Sequence, residues 1–596
     1  MLSAPAPAKR RFQLVLIKPS HYDDDGYVIQ WARAFIPSNT LAVLYSLARD
    51  SAKRGVLGPD VDVDITVIDE INARVKVDKL ISGYRRHGGL GLIAIVGVQS
   101  NQFPRALDIA RPFRAANVPV VIGGFHVSGC LAMLPELQAD LKIALDMGVS
   151  LFAGEVEGRM DKLLQDATNG TLQPIYNYLS DLPSIEDEPT PILPAEHLRR
   201  TIQHIGAFDA GRGCPFQCSF CTIINVQGRK SRRRTAEDVE RTIREHWDQG
   251  IRDFLITDDN MARNKDWEPI FDRIIAMRER EKMNIRLIIQ VDALAHKIPN
   301  FIEKAGRAGV GRVLIGLESI NAANLLAAKK RQNKITEYRK MLLAWKNVGA
   351  ITTAGYILGF PFDTKESIRE DIEIIKKELP LDILEFFCLT PLPGSEDHKV
   401  LWQKGEWMHT DMNIYDGEHA VANHAKMSKE EWEEVYQSAW AQYFTPEHME
   451  TLLRRGASTN CSMSRLVSFM FLFGYSVPIE HVHPLQGGLL RRKYRRDRRP
   501  GMPIESIWSF YPKFAWNLVS KTARSLRLLL WMDRVRRRVQ KDPNRYFYTD
   551  QAMAPVADDE DETLELLTHS TAAREAVAHS HKIAHLTSGL PQVSRV

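Results

Sequence analysis

Apolar positions in the first 160 residues fall into short runs separated by amphipathic stretches. RFQLVLIKP (11–19) is a strand-length apolar run ending in proline, as a buried parallel strand would. VDITVIDE (63–70), GLIAIVGVQS (91–100) and VPVVIGGFH (118–126) repeat the pattern, and SLFAGEVEG (150–158) does so more weakly. TLAVLYSLARDSAKRG (40–55) has helical spacing and stops at glycine. The alternation predicts a Rossmann-like, doubly wound α/β domain over 1–165. Such sheets bind ligands beyond the carboxyl ends of their strands. Gly123, Gly124 and His126 follow one such end, and Gly154, Glu155 and Glu157 follow another.

The pattern lapses at 166–198, where LPSIEDEPTPILPAEH is rich in Pro, Asp and Glu and reads as a linker. From 199 to 400 the alternation resumes. HIGAFDAG (204–211), RDFLITDD (252–259), IRLIIQVD (285–292), RVLIGLES (312–319), ITTAGYILGF (351–360) and ILEFFCLTP (383–391) are strand candidates, separated by charged helical segments. Six βα units predict a partial (β/α)6 TIM-like barrel, with its site on the loops at the carboxyl ends of the strands. A helical region rich in Trp and Glu follows at 401–480, then a basic extension at 481–550. The 551–596 tail carries the acidic run DDEDE (558–562) and is expected to be disordered.

Composition changes this picture little. Hydrophobic residues are 44% and charged residues 26% of 596, an ordinary globular balance, and a net charge of +5 is small for this length. The opening MLSAPAPAKRRFQ lacks the apolar core of a secretory signal, and the most apolar stretch, LVSFMFLFGYSV (466–477), is too short to span a bilayer. A cytoplasmic protein, at most peripheral to a membrane, is expected. Charge is unevenly placed: residues 485–545 hold 17 Lys or Arg against 4 Asp or Glu. Trp516, Val519, Ala523, Leu526 and Leu530 recur there at 3-4-3-4 spacing, with Lys521, Arg524, Arg527 and Arg534 mostly between them. This basic amphipathic helix either packs on the barrel with a solvated charged face or makes peripheral membrane contact through 489–540. No nucleic-acid module is recognisable.

Six cysteines in 596 residues are no disulfide framework. Cys130, Cys388 and Cys461 are scattered and read as buried apolar residues. The other three, Cys214, Cys218 and Cys221, crowd into GRGCPFQCSFC (211–221), directly after a predicted strand. Gly211 and Gly213 let that loop turn tightly, so three thiolates can face one centre. Such a set suits zinc or an iron–sulfur cluster. Structural zinc usually takes a fourth Cys or His, and no second cysteine pair exists. A [4Fe–4S] cluster held by three thiolates leaves one iron open.

The C-x3-C-x2-C spacing, with Phe220 before the last cysteine, resembles the signature of the radical S-adenosylmethionine (SAM) superfamily. RGCPFQCSFC is especially similar to the branch with an N-terminal cobalamin-binding domain. TDDNM (257–261), GLES (316–319), GYILGFPFDT (355–364) and TPLPGSE (390–396) resemble further motifs of that family, in order and at strand ends. The resemblance implies Cys214, Cys218 and Cys221 on a [4Fe–4S] cluster, and SAM bound through Asp258, Asp259, Asn260, Glu318 and Ser319. It also implies Gly355 and Gly359 near adenine. Asp363 departs from the pattern, where many relatives carry Gly-Glu.

Cobalamin, on the same resemblance, would meet Gly123, Gly124, His126, Gly154 and Glu155. The D-x-H-x-x-G motif that supplies a histidine to cobalt in other B12 proteins is absent. Methylation of an unactivated carbon is the implied reaction; oxidation, cyclisation or rearrangement is the alternative. A metal-stapled protein docking on membrane or nucleic acid is the non-enzymatic one. The implied partners are a small-molecule substrate and an electron donor such as flavodoxin or ferredoxin; the apolar face of the tail suggests an apolar substrate. No residue is assigned to proton handling; Tyr22, Tyr356 and Cys388 are candidates for the barrel mouth.

Overall fold

The computed structural model describes residues 9–202, 204–557 and 559–588. Six parallel strands form the N-terminal sheet, in the spatial order Val61–Asp69, Arg10–Lys18, Gly91–Ile95, Val120–Gly123, Ser150–Ala153, Ile175–Asn177. The order reverses between Arg10–Lys18 and Gly91–Ile95, which is where doubly wound sheets open a crevice for ligand. Helix Asn39–Lys53 covers one face. Its N-cap Ser38 accepts a hydrogen bond from the Leu41 amide, and Leu41, Ala42, Leu44, Leu47 and Ala48 are buried. The sixth strand pairs Ile175 with Leu151, so the domain runs past 165 into the stretch expected to be linker. That expectation followed composition; a three-residue edge strand is too short to signal itself by periodicity.

The second sheet is parallel and strictly consecutive: Ile205–Phe208, Asp253–Ile256, Arg286–Val291, Val310–Glu318, Ile351–Leu358, Ile383–Cys388. This is the expected partial barrel. Some of its helices start on side-chain caps. Thr235 and Asp238 form a reciprocal capping box at Ala236–Asp248, and Thr364 and Ser367 form another at Lys365–Glu378. Helices Lys429–Tyr443, Pro446–Ser458 and Met463–Tyr475 follow the barrel.

The C-terminal extension laces the molecule together. Gly488–Arg492 pairs antiparallel with Gln30–Ala34 of the first domain. Much of the cationic run is used in this lacing: Arg491 and Lys493 meet Asp23 at 2.9 and 2.8 Å, Arg499 meets Asp411 at 2.6 Å, and Asp497 receives Arg74 at 2.6 Å. The tail corrects the expectation of disorder as far as residue 588. Arg339 donates to the carbonyls of Gln551 and Ala554, and Glu378 accepts the amides of Glu565 and Leu566. Leu564, Leu566, Leu567 and Ala573 are buried. Local acidity suggested solvation, but two buried charges on the barrel hold the tail's backbone. Residues 589–596 lie outside the described residues.

Candidate active site

The cysteine loop leaves the first barrel strand through Gly211–Arg212, which pairs antiparallel with Arg232–Arg233. Gly213 is needed at its turn: φ is +93°, and a Cβ there would stand 2.6 Å from the Lys230 carbonyl oxygen. All three cysteines are free thiols. Burial pushes Cys214 up to about 11 and Cys221 up to about 12, so both must release protons when a metal binds.

The strand-end motifs gather around this loop. Asp259, from the second strand end, accepts the Gly213 amide at 2.7 Å, and burial pushes its carboxyl up to about 7. Its neighbours hydrogen-bond to other groups. Asp258 receives the Asn264 side chain at 2.7 Å and the Asn260 amide at 3.0 Å, while Asn260 donates to Asp292 at 3.0 Å. Asn260 Oδ1 is buried without a hydrogen-bond partner, an acceptor left available. At the fourth strand end Glu318 has a left-handed backbone (φ +64°) and pairs with Lys330. Ser319 is buried and its hydroxyl accepts the Asn321 amide at 3.0 Å.

At the fifth strand end, a Cβ on Gly355 would touch the Glu318 carboxylate at 3.7 Å, while one on Gly359 would collide with the Trp432 ring at 2.0 Å. Asp363 takes a clear part: it accepts the amides of Gly359 and Phe360, both at 2.9 Å, and the Asn324 side chain at 2.5 Å, closing that loop. Phe220 meets Phe360 edge-on at 6.1 Å between ring centres and lies 5.7 Å from the Lys330 ammonium. Lys330 and Gln332, whose side-chain amide points at Cys218 Sγ from 3.4 Å, were not anticipated. In AAKKRQN (327–333) they read as a solvated cationic turn.

The first domain meets the loop through an ionic cluster. Arg212 contacts Glu155 at 2.6 Å, Glu157 at 2.7 Å and Asp209 at 3.0 Å, and Arg232 also pairs with Glu155. Burial opposes ionisation of Asp209, but Arg212 and Arg234 outweigh it and hold the carboxyl down to about 2. Arg212→Met would leave buried Glu157 without a cation, while Glu155 keeps Arg232 and Asp209 keeps Arg234, and should cost about 3–5 kcal/mol in urea unfolding; a loss below about 1 kcal/mol would show that the cluster is solvated.

Beside this seam lies an apolar cavity of about 190 Å³, lined by Leu14, Leu92 and Val121 and by Gly97, Gly124 and Gly154. It occupies the crevice where the strand order reverses. Gly123 and Glu155 also line it. Gly124 has φ +147°, and a Cβ there would fall 2.1 Å from the Val98 nitrogen.

His126 is a correction: it points away, its ring nitrogens engaged by Ser100 at 3.1 Å and Asp140 at 2.8 Å. It sits on the first turn of helix Phe125–Met133, which turns it into the core. Tyr22, Tyr356 and Cys388 are likewise packed: the two hydroxyls donate to Asp108 and Asp371 at 2.9 and 2.6 Å, and the thiol faces the Glu418 carbonyl at 3.5 Å.

Residues 210–375 match the family model of the radical SAM superfamily. These residues are a radical SAM domain. An extra sheet precedes this domain and a helical extension follows it. Among curated relatives, the chain is 26% identical over 351 residues to bacteriochlorophyllide d C-8(2)-methyltransferase of Chlorobaculum tepidum, covering 55% of this chain and 72% of that one. It is 23% identical over 308 residues to hopanoid C-2 methylase of Rhodopseudomonas palustris, covering 51% and 56%. Two solved structures share the fold. The radical SAM methyltransferase TsrM of Kitasatospora setae, with cobalamin and a [4Fe-4S] cluster bound, has a TM-score of 0.55 at 14% identity over 79% of this chain and 99% of that one. The cobalamin-dependent radical enzyme OxsB has 0.51 at 12% identity over 95% and 84%.

Proposed function

We propose that this chain is a cobalamin-dependent radical SAM methyltransferase acting on an unactivated carbon of a small, apolar molecule. The observation that carries this reading is the juxtaposition of a three-thiol loop at the barrel mouth with an apolar crevice in the adjoining sheet. The donor set suits a [4Fe–4S] cluster, because three thiols in one loop leave one iron for an outside group. The crevice suits part of a cobalamin, because its walls are apolar and the glycines among its lining let a group approach the backbone. His126 being held by Asp140, the chain offers no histidine to cobalt from this helix.

When bound, the cluster and SAM supply one-electron cleavage and a hydrogen-abstracting radical, and the corrin supplies a methyl carrier. The chain's own work is holding and orienting. Cys214, Cys218 and Cys221 hold the cluster. Asp259 ties the second strand end to the cluster loop, and with Asn260 Oδ1 it offers acceptors to an ammonium group. Glu318 and Ser319 offer acceptors to ribose, with Lys330 holding the Glu318 carboxylate in place. Gly355 leaves room beside Glu318 for a planar base. Phe220, Phe360 and Trp432 exclude water from that side. An acidic reductase of the flavodoxin or ferredoxin type would supply the electron. Names of relatives at 23–26% identity support methyl transfer.

The test is product counting with reconstituted enzyme and a panel of apolar acceptors. Methyl transfer yields S-adenosylhomocysteine together with 5′-deoxyadenosine. Formation of 5′-deoxyadenosine alone with a converted acceptor would replace methylation by oxidation or rearrangement.

A further inference from the structure

Helix Ile507–Lys541 packs on one side only. Phe510, Met532, Val535 and Val539 are buried, and the helix lies on Pro446–Ser458 and Met463–Tyr475. On the other side Trp508, Trp516, Val519, Leu526 and Leu530 are 88%, 71%, 63%, 53% and 55% exposed. At about 100° per residue these five fall within about 80° of arc, opposite the packed residues, and they run about 33 Å along the axis. Isolated exposed apolar side chains are ordinary; a continuous stripe of this length marks a contact surface.

Its charge identifies the occupant. The helix has nine Lys or Arg and one acid, Asp533, already paired with Arg536 and Arg537 at 2.6 and 2.7 Å. By the same helical angles Arg527 and Arg534 border the stripe. A second copy laid on this face would set two strongly cationic helices against each other with almost no acid to compensate. Lipid phosphates supply the missing charge, and two exposed tryptophans suit the headgroup boundary. Among the described residues no helix is long and apolar enough to cross a membrane. The contact is therefore in the plane of the surface.

We infer that this stripe docks the protein on an anionic bilayer, with Trp508, Trp516, Val519, Leu526 and Leu530 in the headgroup–acyl boundary and the flanking arginines on lipid phosphates. The inference stands apart from the reaction and is read without turnover. The full chain is sedimented with phosphatidylcholine vesicles containing about a third phosphatidylglycerol, and with phosphatidylcholine alone; anionic vesicles should capture it and added salt should weaken capture. A Trp508→Ser, Trp516→Ser, Leu526→Ser variant should partition at least ~10-fold less, and Arg527→Gln, Arg534→Gln should lose roughly 10-fold or more. Both variants change exposed positions, so their melting temperature should match that of the unaltered chain. A chain that stays in solution with anionic vesicles overturns the inference. So do variants that sediment like the unaltered chain. Self-association in vesicle-free solution, or RNA retention, that the triple variant abolishes without any vesicle capture would assign the stripe to a second copy or to nucleic acid and overturn it equally.

Discussion

Cys218→Ala should leave the folded chain unable to assemble its cluster. Anaerobic reconstitution with iron and sulfide should take the unaltered chain to about four irons and the variant to less than one. SAM cleavage should fall by more than ~100-fold, since loss of a partner outside the ligand set already costs ~10–100-fold at metal sites. Cys214→Ala and Cys221→Ala should behave alike, because the three positions act on one centre. Cys130→Ala, Cys388→Ala and Cys461→Ala provide the contrast. These side chains are buried and scattered, and the variants should keep iron and activity with only a small loss of melting temperature. Equal iron in the Cys218 variant would remove the loop from the chemistry. Equal losses in all six variants would mean that cysteine count, not place, governs assembly.

Filling the crevice of the first domain should separate its function from the barrel's. Ala94, on the strand Gly91–Ile95, lines the cavity and is buried. Ala94→Phe puts an aromatic ring into the cavity proposed for the cobalamin. Overpacking alone is worth about 1–3 kcal/mol, or roughly 5–150-fold in affinity. Corrin retained after desalting should fall at least ~10-fold, while bound iron and uncoupled 5′-deoxyadenosine formation stay near those of the unaltered chain. S-adenosylhomocysteine would disappear with the corrin. A variant that keeps its corrin would place the cofactor elsewhere. One that loses iron as well would show that the two domains fold as a unit, as the Arg212 cluster between them allows.

The reach of the sequence differs between these two sites. Three cysteines in eight positions after a strand announce themselves because metal chemistry demands donor types at short spacing, and spacing survives in one dimension. The same holds for the barrel: six apolar runs at regular intervals form six consecutive parallel strands. Asp259 and Glu318 were singled out by the family resemblance of TDDNM and GLES, short motifs that also survive in one dimension. Lys330 and Gln332 were not. They approach the loop from more than 100 residues away, and a lysine in a cationic turn looks solvated until Glu318 is seen beside it.

His126 shows the opposite error. Its place after a strand pointed to ligand, but the helix that begins at Phe125 rotates the ring onto Asp140. Direction, unlike spacing, depends on the turn of a helix and on what packs around it.

Sequence by itself determined the class of chemistry, the two parallel sheets and the absence of a histidine motif for cobalt, all of them properties of local pattern. Tertiary structure alone decided the rest: that the cationic run laces two domains together, that the acidic tail is seated by Arg339 and Glu378, and that the apolar stripe of the long helix faces outward. An amphipathic pattern defines faces but not which face finds a partner; that choice is made by surfaces contributed from elsewhere in the chain.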